Sequence, residues 1–67
     1  MEIQINNQSH HISEGTTVCQ LICNILQLDT AGIALAINDQ IVPRHFWESH
    51  QFQSRDTVLI IKAARGG

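Results

Sequence analysis

The chain changes its hydrophobic period three times, and each change marks an element. In "EIQINNQSHHI" the apolar positions Ile3 and Ile5 alternate with polar ones, Asn6-Asn7 interrupts, and His10 and Ile12 resume the alternation. Asparagine tolerates positive φ, so this stretch predicts a β-hairpin. In "TVCQLICNILQL" the spacing lengthens: Val18, Leu21, Ile22, Ile25 and Leu26 fall on one face of an amphipathic helix. Thr17 followed three residues later by Gln20 matches a capping box, which predicts a helix from Val18 to about Leu28.

Period two returns after "DTAG", with Ile33, Leu35 and Ile37 on one face of a strand and Ala34 and Ala36 on the other. Asn38-Asp39 predicts a tight turn into a short strand, "QIV", which Pro43 stops. "RHFWESHQF" reads as one irregular or 3₁₀ turn, with Trp47 and one Phe plugging the open end of the core. "SRDT" turns into "VLIIKAA", the most apolar strand and therefore the expected centre of the sheet. The order is hairpin, helix, strand, short strand, capping turn, final strand: an α+β fold of two layers, one helix across one mixed sheet.

Sixty-seven residues suffice for a single domain, 1–67, with 63–67 expected to form a flexible tail. A domain of this size buries only about 60% of the surface its unfolded chain exposes, which leaves no room for a deep active-site cleft. Charge is divided along the chain. The first 43 residues carry Glu2, Glu14, Asp29 and Asp39 without a Lys or Arg, a charge of −4; the remaining 24 carry +2, for the net −2. With no basic stripe to displace phosphate counterions, nucleic-acid binding is not expected. No apolar run approaches the ~18 residues of a membrane span, and the N-terminus lacks the pattern of a secretory signal, so no membrane partner is expected and the location is expected to be cytoplasmic.

A search for side-chain chemistry returns little. His10 and His11 point to opposite faces of a strand, His45 and His50 lie in an irregular stretch, and neither pair completes a zinc ligand set. Cys19 and Cys23, four apart in the helical pattern, have diverging Cβ vectors; no disulfide is expected, and they read as small hydrophobes flanking the apolar stripe. There is no G-x-S-x-G, no phosphate-binding glycine loop and no paired carboxylate. The chain is not expected to be an enzyme, and no bound metal or cofactor is expected.

That leaves the end of the chain, "AARGG", which holds two of its four glycines. Glycines at the last two positions let a backbone carboxylate thread into another protein's catalytic channel without a Cβ. A carboxylate is a poor electrophile until activated, and as an acyl-adenylate it can be attacked by sulfur or an amine.

"ALAINDQIVPR", Trp47, Asp56 before the last strand, the "TV" of the helix start and the Gly66-Gly67 end together resemble the ThiS family of sulfur carriers in thiazole and thiamine biosynthesis, over essentially the whole chain. The resemblance implies the ubiquitin-like β-grasp fold, with strand order 2-1-5-3-4. It also implies a mechanism in which a ThiF-like enzyme uses ATP and magnesium to adenylate the carboxylate of Gly67. A cysteine desulfurase supplies sulfur, the tail becomes a thiocarboxylate, and ThiG-like thiazole synthase takes the sulfur. Gly66 is then the thin neck of the arm and no side chain is catalytic.

The register that the resemblance implies turns Val58 and Ile60 toward the helix and leaves Leu59 and Ile61 outside, beside Ala34 and Ala36, whereas Lys62, which shares parity with Val58, favours the opposite assignment with Val58 and Ile60 outside. Such a contiguous apolar patch marks a docking surface. Arg65 is a second docking candidate, a cation placed to meet acidic groups at a channel mouth. Two residues depart from the family pattern: Arg65, where many members carry a small or apolar residue, and Arg55, where a glycine is usual before the Asp that enters the last strand. If that turn is left-handed, Arg55 costs about 1–2 kcal/mol. Related readings are a MoaD-like small subunit of molybdopterin synthase, a ubiquitin-like protein modifier, and a plain binding domain with an incidental tail.

Overall fold

The computed structural model describes residues 1–62; residues 63–67 lie outside the description. Strands β1 (Glu2–Ile5) and β2 (Gln8–His11) form the opening hairpin. A single α-helical turn, α1 (Val18–Gln20), continues directly into a π-helical turn (Leu21–Ile25). Strands β3 (Ile33–Ile37) and β4 (Gln40–Ile41) form the second hairpin, a 3₁₀ turn covers Arg44–Phe46, and β5 (Thr57–Lys62) closes the order. The five strands make one mixed sheet, β2-β1-β5-β3-β4, with β5 parallel to β1 and antiparallel to β3. This is the β-grasp arrangement, and the strand expected at its centre is there.

Both hairpins turn through two residues that sit at positive φ: Asn6 and Asn7 at 49° and 70°, Asn38 and Asp39 at 51° and 71°. Two consecutive left-handed residues give a turn whose twist matches that of the strands it joins, and Asn and Asp reach it most cheaply after Gly. The turns fix the register, so Ile3 and Ile5 of β1 and Ile33, Leu35 and Ile37 of β3 all lie in the core, with Val58 of β5 between them. Val18, Leu21 and Ile22 cover these residues from the helix.

The helix departs from its expected form in two ways. Its capping box is present: Thr17 Oγ1 accepts from the Gln20 amide, and Gln20 Oε1 accepts from the Thr17 amide. Regular helix nevertheless ends at Ile25, three residues short of Leu28, and its second half is a π turn in which the Leu26 amide reaches back to the Leu21 carbonyl at 2.9 Å. The wider turn carries one extra residue, so the face read from a 3.6 period slips. Ile25, expected in the core, is half exposed, whereas Leu26 and Leu28 pack against the core edge. Gln27 then takes φ 54°, and the Leu28 amide closes the end on the Ile22 carbonyl at 2.8 Å.

The irregular stretch after Pro43 plugs the open end of the core as expected, with Trp47 and Phe52 buried and Phe46 left outside. Its position is set by hydrogen bonds to the helix start. The Val18 and Cys19 amides, which lack partners inside the helix, donate to the carbonyls of His50 and Trp47 at 2.9 Å each. Trp47 Nε1 donates to the Val42 carbonyl at 2.8 Å, and Arg44 lies 5.5 Å over the Trp47 ring while bonding the Thr30 carbonyl. Among the described residues no buried polar side-chain atom lacks a partner.

Candidate functional site

The chain's candidate chemistry is at residues that follow β5, so the site is built from whatever fixes that strand and from the surface beside it. β5 is central, yet its main-chain ladder to β1 is short, pairing only Gln4 with Thr57 and Ile5 with Val58. Two asparagine side chains lengthen the pairing, one past the end of the β1 ladder and one past the end of the β3 ladder. From the first hairpin turn, Asn6 Oδ1 accepts from the Ile60 amide at 2.9 Å and its Nδ2 donates to the Ile60 carbonyl at 3.4 Å. From the second, Asn38 Oδ1 accepts from the Thr57 amide at 3.0 Å, and the Asn38 amide donates to the Thr57 carbonyl at 2.8 Å. The first residue of each hairpin turn thus holds β5 from one side.

The entry to β5 is anchored by a buried carboxylate. Asp56 accepts from the Gln53 amide at 2.8 Å and from Asn38 Nδ2 at 3.0 Å, and its carbonyl receives the Gln4 amide at 2.9 Å. Arg55 precedes it at φ 71°, with its amide bonded to the Glu2 carbonyl at 2.8 Å. The turn is therefore left-handed, and the arginine at this position carries the strain that a glycine would not.

The two faces of β5 differ as the strand period requires. Val58 is buried under the helix and Ile60 is partly buried, whereas Leu59 is 49% exposed and Ile61 44% exposed on the opposite face. Lys62 shares parity with the inner residues but is exposed; it pairs with Ile33 at the strand end and lines a surface hollow with His10, Leu26 and Leu28. The antiparallel register sets Leu59 opposite Ala36 and Ile61 opposite Ala34. Ala34 is exposed and Ala36 is nearly covered, so the alanines form the floor of the surface and the larger side chains its relief.

One member of this surface was not foreseen. Ala36 also pairs with Ile41 of β4, and residues directly opposite in an antiparallel pair share a face. Ile41 is 62% exposed, so Ile41, Ala36 and Leu59 make an apolar row across three strands, with Ala34 and Ile61 beside it. The signal was in the sequence: a two-residue turn at Asn38-Asp39 requires Ala36 to face Ile41. Of the other predicted site residues, Arg65, Gly66 and Gly67 lie outside the described residues.

His11 and His45 are exposed and His10 and His50 half-buried, and no cluster of three metal-ligating side chains occurs among the described residues. Cys19 packs partly against the core, but Cys23 is exposed and is no core residue. Their sulfurs lie 3.8 Å apart despite the diverging Cβ vectors expected for this spacing. The hydrogen bond to Cys23 raises the Cys19 thiol above its ordinary pKa, with smaller upward contributions from desolvation and from the negative charges of Cys23 and Glu48. A thiol held in its protonated form is a poor nucleophile at neutral pH. No helix among the described residues is long and apolar enough to cross a membrane.

Comparison with known proteins agrees with this architecture. The chain is 42% identical to the sulfur carrier protein ThiS of Escherichia coli (strain K12), a match that covers both chains completely. It is 31% identical to the uncharacterized protein ycf40 of Porphyra purpurea, over all of this chain and 93% of that one. The crystal structure of the thiamine biosynthesis protein ThiS from Geobacter metallireducens superimposes with a TM-score of 0.85 over the full length of both chains at 16% identity, which establishes a shared fold. The model of the ThiS family matches residues 2–67, and the chain belongs to that family.

Proposed function

We propose that this chain is a sulfur carrier of thiazole formation in thiamine biosynthesis, and that its chemistry resides in the terminal carboxylate of Gly67. The observation that carries this reading is the end-to-end match, at 42% identity, to a protein named as a sulfur carrier.

In the proposed cycle a ThiF-like partner uses ATP and magnesium to convert the Gly67 carboxylate to an acyl-adenylate, releasing pyrophosphate. Persulfide sulfur from a cysteine desulfurase displaces AMP to give an acyl disulfide, and a thiol reductant cleaves its S–S bond to leave a thiocarboxylate, which a ThiG-like thiazole synthase consumes. The domain's part is delivery. Five residues follow Lys62, and an extended chain of that length spans about 17 Å, enough to reach a recessed active site. Gly66 and Gly67 let it pass a narrow channel, and Arg65 meets acidic groups at the mouth. The outer face of Leu59, Ile61, Ala34 and Ala36, extended by Ile41, docks against the partner.

Intact-mass measurement tests the reading directly. Incubation with a ThiF-like enzyme, ATP, magnesium and a sulfur donor should exchange one oxygen of the chain for sulfur, and deletion of Gly67 should abolish the exchange. Absence of any mass gain in the complete chain would sink the proposal. Productive pairing with a molybdopterin-synthase large subunit, and not with thiazole synthase, would transfer the carrier to the MoaD-like role.

A further inference from the structure

The helix carries a feature that sulfur delivery through the tail does not use. Cys19 belongs to the α-helical turn and Cys23 to the π-helical turn that follows it. In a regular α-helix, residues four apart are rotated past one full turn. The wider π turn reduces the rotation per residue, so the two side chains approach alignment along the axis. The sulfurs meet at 3.8 Å, with Cys23 open to solvent.

Three uses of such a pair can be separated on physical grounds. A disulfide needs Cβ atoms about 3.5–4.5 Å apart, whereas residues one helical turn apart hold theirs at about 5–6 Å, so closure would require unwinding the helix. Nucleophilic work needs a cation or base beside the thiol, and no Lys, Arg or His lies near the pair in the sequence. Ligation needs two sulfurs that can converge on one soft ion. At the usual zinc–thiolate distance of about 2.3 Å, sulfurs 3.8 Å apart subtend about 111° at the metal, close to the tetrahedral angle.

We infer that Cys19 and Cys23 form a two-thiolate site for a soft divalent d¹⁰ cation of the zinc class, bound at the surface of the helix. Binding releases the two thiol protons to solvent and forms two metal–sulfur bonds. No third protein ligand converges there among the described residues, so the remaining coordination positions belong to water or a small thiol. Open coordination of this kind makes the ion exchangeable, in contrast to a closed four-ligand structural site.

Cadmium is the probe, because its thiolate complexes absorb in the ultraviolet by charge transfer. Titration of the reduced full-length chain with Cd²⁺ should develop that band, saturating at no more than one ion per chain, and should protect both thiols from iodoacetamide. Cys23→Ser and Cys19→Ser should each weaken binding by at least about tenfold, because the second thiolate binds as an intramolecular ligand. Cys23 is exposed, so its variant should fold normally by circular dichroism, and it decides the matter if Cys19→Ser does not. No charge-transfer band, or a band of undiminished affinity in Cys23→Ser, would overturn the inference.

Discussion

Asn6 and Ile60, fifty-four residues apart, are joined as if they were neighbours in a ladder: one side-chain amide both accepts from the Ile60 N–H and donates to its carbonyl. The contact lengthens the pairing of β5 past the end of β1 and so holds the strand just before residues 63–67. Asn6→Gly keeps the positive φ accessible and removes the clamp, while the relief of backbone strain and the greater freedom of glycine in the unfolded chain largely offset each other. It should lower unfolding stability by about 1 kcal/mol and speed hydrogen exchange at the Ile60 amide. Unchanged protection at Ile60 would show that the side chain does not hold the strand.

Arg55 offers the opposite change. Its φ of 71° strains any residue with a Cβ, and relief of about 1–2 kcal/mol is partly offset by the greater freedom of glycine in the unfolded chain. Arg55→Gly should therefore gain about 0.5–1 kcal/mol, read as a rise of several degrees in the thermal midpoint. An unchanged midpoint would mean that the arginine side chain offsets the strain through contacts of its own.

Asp56 is buried and receives two hydrogen bonds, one from a backbone amide and one from Asn38. Asp56→Ala leaves the Gln53 amide and Asn38 Nδ2 without this acceptor. It should cost roughly 2–3 kcal/mol in chemical denaturation. A loss below about 0.5 kcal/mol would show that water replaces the carboxylate at no cost.

Leu59 tests the proposed docking face without disturbing the core. Leu59→Asp should leave unfolding cooperative, because the side chain points outward from the sheet, while reducing the rate of adenylation at subsaturating carrier by about tenfold or more. Ile41→Asp should act in the same direction. Equal rates for both variants and the parent chain would remove this surface from the mechanism.

The thiols provide a check on the helix geometry. The raised pKa of Cys19 predicts that its alkylation, which requires the thiolate, stays slow at neutral pH and accelerates only above the ordinary thiol range. Cys23→Ala removes the hydrogen bond that is the largest cause of the shift, so the alkylation profile of Cys19 should move to lower pH. A profile that does not move would place the two sulfurs farther apart than 3.8 Å.

The sequence by itself determined the order of elements, both hairpins, the capping box, the central place of β5 and the faces of β3. All of these depend on local chemistry: a two-residue period, a 3.6-residue period, and asparagines able to adopt positive φ at the turns. The same local rules contained the position of Ile41, which follows from the turn at Asn38-Asp39 by counting two residues back. They failed first within the helix. The 3.6 period carried it to Leu28 and put Ile25 in the core, but a π turn intervenes, and no spacing of apolar residues announces an extra residue inside a turn. Tertiary structure alone decided what that turn brought together, the sulfurs of Cys19 and Cys23. It alone decided that Asn6 and Asn38 would hold β5 from its two sides, because those partners are distant in the chain and meet only when the sheet closes.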